Sequence, residues 1–379
     1  MSAVPTGPRM SGWPELGDAQ RRVLLELLLR GEQSRVRLAE AVGLSRASLT
    51  RIARDLLELG LVVEGAVEQK ATRGRPGEML RLRPEAGHFV GVKLTGEALY
   101  LVVTDLSARV VAATTRALPD RDVAGVVALI AEVARETAGA WSPVAIGVGL
   151  AGDVERNGEA VLRASHFLGW DAVPLERHVA EATGLPTTVS NDVHALAAAH
   201  HWFDGLEHYR SLVVYGLGAG IGSGVVIEGE LMEGAHGRSG RVGHARVGGE
   251  GRVCDNGHGD CIHSFVTMPS IEANAGVPYP EALERARAGE PRASAALERA
   301  AYALGAAIAD SVNAFDPEAV CLLGEGLDMA DIAPEAVRRG LSEFLENVAP
   351  ETVRIERPPF TFELYARGAA VAAMRDLLE

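Results

Sequence analysis

The chain has 379 residues, of which 47% are hydrophobic and 23% charged, so it is long enough for two or three folded domains and its composition excludes general disorder. It lacks an apolar run near the ~20 residues that span a bilayer and the charged-then-apolar pattern of a secretory signal. Three cysteines cannot form a disulfide framework and indicate reduced thiols or a metal site. We therefore expect a cytoplasmic protein without a membrane partner.

The net charge of −14 is divided unevenly along the chain. Residues 1–88 hold 14 Lys or Arg and 11 Asp or Glu residues, a net charge of +3. Residues 89–379 hold 23 and 40, a net charge of −17. The small basic head and the large acidic body therefore have to be interpreted separately, and the negative total does not exclude binding of nucleic acid by the head.

The head is predicted to contain three helices followed by a wing. Apolar residues at helical spacing predict a first helix over residues 19–30. Ser34 can cap a second helix that ends near residue 42, and Ser45 can cap a third over residues 46–59. Glycines follow all three helices, as is typical of helix ends. Two short strands complete the wing: residues 61–68 and 79–83.

The third helix has one apolar and one polar face. Its apolar residues fall at positions i, i+3, i+4 and i+7 of one stripe: Leu49, Ile52, Ala53 and Leu56. The remaining surface carries Arg46, Ser48, Thr50, Arg51 and Arg54. The first four of these are expected to contact DNA. Such a helix behind a short helix and a glycine turn is typical of a helix-turn-helix, which places it in the major groove. The alternative is a helical cap whose arginines are only solvated.

The segment KATRGRPG lies between the two wing strands. Proline disfavours a helical conformation at the residue before it, so Arg73 and Arg75 are expected on an extended backbone. Two arginines on a thin backbone suit the narrow minor groove, where the negative potential is enhanced. A plain interdomain linker is the alternative, and the position behind a helix-turn-helix favours minor-groove contact.

The body contains the same pattern of elements twice. Residues 88–115 are predicted to form three consecutive strands, followed by a helix over 123–138 and a buried strand over 144–150. Residues 211–231 repeat the three-strand pattern. A duplicated arrangement of this kind indicates an α/β body of two lobes with a ligand-binding cleft between them.

Seven segments of the body, in this order, resemble one known family, the ROK family (repressors, open reading frames and sugar kinases): GLAGDV (149–154), LGWDAVPL (168–175), SNDVHALA (190–197), GLGAGIGSGVVIEGELMEG (216–234), GRVGHARV (240–247), CDNGHGDCIH (254–263) and CLLGEGL (321–327). The resemblance implies an α/β fold in which a winged helix-turn-helix precedes a two-lobed, actin/hexokinase-like body of duplicated ribonuclease H-like lobes. The expected domains are residues 1–86 for the head with its linker, 87–195 plus 362–379 for the first lobe, and 196–361 for the second lobe with dimerisation and the zinc loop.

The phosphate-binding motifs of the family's kinases are altered. Those kinases carry Asp-x-Gly-Gly-Thr in the first strand-turn-strand, where this chain has Lys93-Leu94-Thr95-Gly96-Glu97. A glutamate there repels phosphate. In the second loop the family's threonine is Ala219, and the remaining glycines fit a tight hairpin as well as a phosphate cradle. We therefore expect no ATP binding and no enzyme activity, with a hexose kinase that uses ATP as the alternative function.

The sugar site of the family is partly retained. Asn191 and Asp192 match the pair in which the Asp is the kinase's catalytic base, and here they would hold ligand hydroxyls. Their alternative role is to cap the following helix. Further expected contacts are four histidines and one arginine, several of them at positions where the family has other residues: His166, His194, His244, His263 and Arg241. Because Arg241 matches carboxylate and phosphate, the effector is expected to be a sugar, sugar phosphate or sugar acid.

The family's zinc loop is retained in part. The resemblance assigns His244, Cys254 and Cys261 as ligands, whereas the family's middle cysteine is Asn256, a poor ligand for zinc. His258, His263, Asp255 or Asp260 could complete a tetrahedral structural zinc site. The alternative is a metal-free loop with reduced cysteines.

These features together predict a ROK-type transcriptional regulator, most simply a repressor. The head would bind an inverted-repeat operator in double-stranded DNA as a homodimer or higher oligomer, because one helix-turn-helix contacts too little DNA for useful specificity. The body would respond to a carbohydrate-like effector. A head that binds protein instead of DNA is a further alternative.

Overall fold

The computed structural model of the chain describes residues 12–65, 79–157, 159–249 and 253–379. The chain is grouped into two compact units. The first consists of the chain up to Ala195 together with Trp202–Glu207 and Tyr365–Glu379, and the second of Leu196–His201 and His208–Leu364. Among the helices in the described ranges, none is long and apolar enough to cross a membrane.

The head contains the three predicted helices. Its elements are α1 (Asp18–Arg30), β1 (Gln33–Ser34), α2 (Arg35–Ala41), α3 (Arg46–Glu58), β2 (Val62–Glu64) and β3 (Met79–Leu82). Ser34 and Ser45 cap α2 and α3, since their side chains accept hydrogen bonds from the backbone N–H groups of Arg37 and Ser48. All four residues of the predicted apolar stripe on α3 are buried. The helix prediction for the head is therefore confirmed.

The wing is a sheet in the order β1-β3-β2. Strand β1 was not predicted, because two residues carry no periodic pattern, and it forms by antiparallel pairing of Gln33 with Leu80. Strand β2 pairs with β3 from Val62 to Glu64. Residues 66–78 lie outside the described residues, and with them Arg73 and Arg75.

The body of the first unit begins with the predicted three-strand pattern. Its elements are β4 (His88–Leu94), β5 (Ala98–Asp105), β6 (Val110–Ala117), α4 (Val123–Ala138), β7 (Pro143–Leu150), β8 (Asp153–Asn157), β9 (Glu159–Arg163), α5 (Leu175–Thr183), β10 (Thr187–Asn191) and α6 (Asp192–Phe203). In the described part of this unit, a five-stranded sheet has the order β10-β7-β4-β5-β6. Strands β4, β7 and β10 are parallel, and β5 and β6 are antiparallel to their neighbours.

The second unit repeats this sheet. Its elements are β11 (Leu212–Leu217), β12 (Ile221–Ile227), β13 (Glu230–Leu231), α7 (His263–Val266), α8 (Met268–Ala275), α9 (Tyr279–Arg287), α10 (Pro291–Phe315), β14 (Ala319–Leu323), α11 (Asp328–Ile332), α12 (Pro334–Phe344) and β15 (Ile355–Glu356). The described strands form a sheet in the order β13-β12-β11-β14-β15, again with three parallel strands and two antiparallel ones. The predicted duplication is therefore confirmed.

The last helix, α13 (Glu363–Leu378), packs directly against the backbone of the first sheet. A Cβ atom on Gly91 would lie 2.0 Å from the carbonyl oxygen of Ala366, and a Cβ atom on Gly147 would lie 1.8 Å from that of Ala369. Only glycine therefore fits at these two places on β4 and β7. This close packing brings Tyr365, at the start of α13, near the ends of the parallel strands.

Candidate DNA-binding helix, ligand residues and metal group

Helix α3 presents the predicted polar face. Arg46, Thr50 and Arg51 are exposed, and Ser48 is half-buried. Thr50 donates its hydroxyl hydrogen to the carbonyl oxygen of Arg46 at 2.8 Å. The guanidinium groups of Arg46 and Arg51 have no hydrogen bond or ion pair with the residues that the structure describes. Two cationic groups on the first half of α3 are thus available for phosphate oxygens or base edges.

Arg54 differs from these two arginines. Its Nε lies 4.0 Å from Glu58 Oε1, one helical turn later on the same exposed surface. This neighbouring carboxylate compensates part of its positive charge. Arg54 is therefore a natural comparison residue for Arg51, because the two share a helix and a side-chain type but differ in charge environment.

The carboxyl ends of β4, β7 and β10 carry the polar residues of the first unit. Lys93 on β4 is in register with Gly149 on β7, and Gly149 is in register with Ser190 on β10. Asp192 follows directly after β10. Carboxyl ends of adjacent parallel strands are the usual location of ligands in α/β folds.

Lys93 and Asp192 form a buried ion pair across this edge. The ammonium group donates a hydrogen bond to Oδ2 of Asp192. The two residues are only 6% and 7% exposed. The ring of Tyr365 lies 5.0 Å from the ammonium nitrogen. The carboxylate that matches a catalytic base is thus occupied by a cation of the same chain.

Asn191 caps helix α6. Its Oδ1 accepts hydrogen bonds from the backbone N–H groups of Val193 and His194 at 3.0 and 3.2 Å, and its Nδ2 donates to the carbonyl oxygen of Gly152 at 2.9 Å. The backbone N–H of Val193 also donates to Oδ1 of Asp192 at 2.9 Å. The capping role named as an alternative is therefore present, and the hydroxyl-binding role stays a prediction.

The other predicted ligand residues differ in burial. His166 is exposed in the turn between Ser165 and Trp170, and His194 is buried on α6. In the second unit, Arg241 is exposed. These placements neither exclude nor require a ligand, so each contact stays a prediction.

His263 has a buried ring nitrogen that calls for a partner. Its Nδ1 has no hydrogen-bond partner among the described residues. Burial lowers the pKa of the His263 imidazole, and the nearby carboxylate of Asp255 opposes that effect. The ring stacks on His244 with centroids 5.4 Å apart. An imidazole whose Nδ1 has no partner among the described residues therefore lies beside His244.

His244, Cys254 and Cys261 converge, with ligand atoms within 4.8 Å of one another. His244 Nδ1 lies 3.6 Å from Cys254 Sγ and 3.9 Å from Cys261 Sγ. Zinc bonds of about 2.3 Å to sulfur and about 2.0 Å to nitrogen place such atoms about 3.6 Å apart in a tetrahedron. Burial raises the pKa of the Cys261 thiol, and Cys254 raises it further. A cation at this point would favour the thiolates.

Two further residues lie beside this group. His258 Nδ1 lies 3.7 Å from Cys254 Sγ, the same spacing as the His244 contact. Asn256, at the family's cysteine position, lies with its amide nitrogen 3.1 Å from His244 Nε2. Because the amide N–H donates to Nε2, the ring proton of His244 lies on Nδ1 in this arrangement. His244, Cys254 and Cys261 therefore lie close enough together to bind a metal ion.

Comparison with known families and structures decides the assignment. The sequence profile described as "ROK family" matches residues 89–375. The chain belongs to the ROK family. Among curated ROK relatives, it is 26% identical over 361 residues to the DNA-binding transcriptional dual regulator NagC of Escherichia coli K12, covering 89% of this chain and 87% of that protein. It is 23% identical over 335 residues to the xylose repressor of Caldicellulosiruptor bescii, covering 82% and 84%.

Two solved ROK structures share the fold of this chain to different extents. A ROK family transcriptional regulator, a homologue of the Escherichia coli MLC protein, superposes with a TM-score of 0.82 at 23% identity and covers 95% of this chain and 96% of its own. A ROK glucokinase from Streptomyces griseus with glucose and AMPPNP has a TM-score of 0.66 at 24% identity and covers 76% and 100%. About a quarter of this chain thus has no counterpart in the kinase. The predicted fold class and the predicted ROK regulator are confirmed.

The first loop of the ROK body is a closed hairpin in this chain. The backbone N–H of Thr95 donates to the carbonyl oxygen of Ala98 at 3.0 Å, and Thr95 Oγ1 accepts from the backbone N–H of Ala98 at 3.0 Å. Arg121 Nε donates to the carbonyl oxygen of Gly96 at 2.8 Å. Glu97 is exposed beside this turn. The loop is therefore tied down and offers a carboxylate where ROK kinases offer a hydroxyl.

The second ROK loop is closed by a residue that the sequence interpretation missed. Gly218 donates its N–H to the carbonyl oxygen of Gly220 at 2.9 Å within the β11–β12 hairpin. A Cβ atom on Gly218 would lie 2.1 Å from Oε1 of Glu325. The carboxylate of Glu325 thus lies against the glycine loop and would repel a phosphate there. The signal was present in CLLGEGL, where Glu325 stands between two glycines.

Proposed function

We propose that this ROK protein is a DNA-binding transcriptional repressor whose operator affinity is controlled by a sugar-type effector. The observation that carries the proposal is the polar face of α3, where Arg46 and Arg51 are exposed and uncompensated while the opposite face is buried. A structural cap has no need of such a face. The relatives named as transcriptional regulators match 82–89% of this chain, which supports the same function.

On DNA, the recognition residues are Arg46, Ser48, Thr50 and Arg51, with Arg73 and Arg75 in the flanking minor groove. The functional unit is a homodimer or higher oligomer on an inverted repeat. We assign the head to residues 1–86, the first lobe to 87–195 plus 362–379, and the second lobe to 196–361. The protein acts in the cytoplasm, where DNA and thiols in the reduced state are found.

The effector is a sugar, a sugar phosphate or a sugar acid. The contacts assigned to it in the first lobe are His166, Asn191, Asp192 and His194; those in the second lobe are Arg241, His244 and His263. Relatives named for xylose and for glucose-type substrates make D-xylose, D-glucose and N-acetyl-D-glucosamine the first compounds to test, together with their phosphates and acids.

The second lobe carries a structural zinc ion. His244, Cys254 and Cys261 are three ligands, and His258 is the fourth in place of the missing cysteine. The support for His258 is its Nδ1, which lies 3.7 Å from Cys254 Sγ. Asp255, Asp260 and His263 are the alternative fourth ligands.

The test uses duplexes that the full-length protein selects from genomic fragments. Arg51→Ala is expected to weaken binding of the selected duplex by about 1–3 kcal/mol, measured by fluorescence anisotropy. Arg54→Ala is the matched control and should stay within about twofold of wild type, because Glu58 already compensates Arg54. Equal affinities for wild type and Arg51→Ala would show that α3 is not the helix that lies in the major groove.

The salt dependence of the same complex distinguishes DNA from a protein partner. Wild-type affinity should fall steeply between 50 and 200 mM salt, since each neutralised phosphate releases counterions. No selected duplex, or affinity independent of salt, would favour a head that binds protein.

A further inference from the structure

The ammonium group of Lys93 is buried with too few partners. Lys93 is 6% exposed and stands at the first position of the altered phosphate loop, at the carboxyl end of β4. An ammonium group has three N–H donors. Among the described residues, Asp192 is its one hydrogen-bond acceptor, and the Tyr365 ring 5.0 Å away is its one aromatic neighbour. At least one donor is left for another group.

Asp192 has more capacity to accept hydrogen bonds than its contacts use. Its Oδ1 accepts from the backbone N–H of Val193, and its Oδ2 accepts from Lys93. Each carboxylate oxygen can accept more than one hydrogen bond. Buried polar groups are normally saturated, so unused donors and acceptors side by side indicate a place for a ligand. A pair of neighbouring hydroxyls supplies one acceptor and one donor at the required spacing.

The charges of the pair select the ligand class. The positive charge of Lys93 and the negative charge of Asp192 compensate each other, so the edge of the sheet has no net charge to attract an anion. An anionic group placed here would also lie beside the carboxylate of Asp192. Neutral hydroxyls therefore fit this point better than a phosphate or an acid group, whichever other groups the effector carries.

We propose that Lys93 is a ligand-binding residue that determines sugar specificity: its ammonium donates to one hydroxyl oxygen of a neutral vicinal diol while Asp192 accepts from the adjacent hydroxyl. This inference rests on the proposed function, in which the body binds a sugar. It also explains binding without turnover, because the carboxylate that would accept the hydroxyl proton in a kinase is held by an ammonium group.

The test is a cycle between a protein change and a ligand change. Calorimetry first identifies which of D-glucose, D-xylose and N-acetyl-D-glucosamine binds wild type most tightly, and then measures its monodeoxy analogues. Loss of the contacted hydroxyl should weaken binding to wild type by about tenfold to a hundredfold, as expected for a hydrogen bond to a charged group. Lys93→Met keeps the side-chain length and removes the donors. For Lys93→Met, the same deoxy analogue should bind within about threefold of the parent sugar.

A merely structural role gives a different pattern. In that case Lys93→Met weakens binding of the parent sugar and of every deoxy analogue by the same factor. The ratios between their affinities then stay as in wild type, and this result would overturn the proposal. Lys93→Arg, which keeps donors and charge, should retain part of the discrimination against that one analogue.

A second variant serves as the control for loss of folding. Lys93→Met combined with Asp192→Asn removes both charges, so no unpaired charge remains buried. If Lys93→Met fails to fold, this double variant is tested instead. The contact between Lys93 and the hydroxyl would be refuted if the double variant distinguished the parent sugar from its deoxy analogues as strongly as wild type does. If wild type binds none of the three sugars but is released from DNA by another class of compound, the sugar effector itself is wrong, a result distinct from preserved ratios.

Discussion

Separating Lys93 from Asp192 should cost more stability than removing both charges. The side chains are 7% and 11% exposed, so the pair is shielded from solvent and little discount for screening applies. Removing one member of a buried pair leaves an uncompensated charge and costs about 3–5 kcal/mol. Asp192→Asn and Lys93→Met are therefore each expected to lower the free energy of unfolding by that amount.

The double variant should recover most of this loss. Met and Asn have volumes close to those of Lys and Asp, and replacement of a whole buried pair is often nearly neutral. We expect the combined variant to lie within about 2 kcal/mol of wild type, so the coupling energy is about 4 kcal/mol or more. For a domain of 150–250 residues, 1 kcal/mol corresponds to about 2–4 °C in Tm. The single variants should thus melt about 6–20 °C below wild type.

Thermal unfolding of full-length wild type, Lys93→Met, Asp192→Asn and the double variant is monitored by circular dichroism at one pH and ionic strength. We expect a low Tm for each single variant and a high Tm for wild type and the double variant. Losses that simply add in the double variant would show that the two residues are not energetically coupled, and that the ion pair does not organise this edge of the sheet.

Three further outcomes follow from the same account. The combined Arg73→Ala and Arg75→Ala variant should lose the preference for A·T flanks while core-site discrimination is retained, in anisotropy with duplexes that differ only in their flanks; equal losses on A·T and G·C flanks would identify a linker. His258→Ala should lose zinc on dialysis against a chelator, whereas the control Asp260→Ala should retain as much as wild type by elemental analysis. Asn256→Cys should retain zinc at higher chelator concentrations than wild type, because its thiolate replaces the imidazole of His258 as the fourth ligand; unchanged or lower retention would contradict this.

Local patterns in the sequence were sufficient for most elements. The apolar stripe of α3 and the bounds of β4 and α4 follow from periodicity and from capping residues, which act within a few positions of the chain. The duplication followed from recurrence of one pattern. Strand β1 could not be predicted, because two residues become a strand only through pairing with β3.

Contacts between distant residues were not predictable from the sequence. Lys93 and Asp192 are 99 positions apart, and their contact depends on the register of three strands. The position of Glu325 against Gly218 likewise depends on two separate loops of the second unit. The sequence shows Lys93 and Glu325 themselves, but not the residue that each of them contacts.

The most direct test of a sugar-responsive regulator combines both activities in one sample. Wild-type protein on its selected duplex is titrated with D-xylose, D-glucose and N-acetyl-D-glucosamine in the presence of ATP and Mg²⁺, while anisotropy reports DNA release and a coupled assay reports ADP. We expect that one of these sugars shifts the operator affinity and that no ADP forms. Sugar-dependent ADP formation near the ~1 s⁻¹ of ordinary enzymes, abolished by Asp192→Asn, would contradict it.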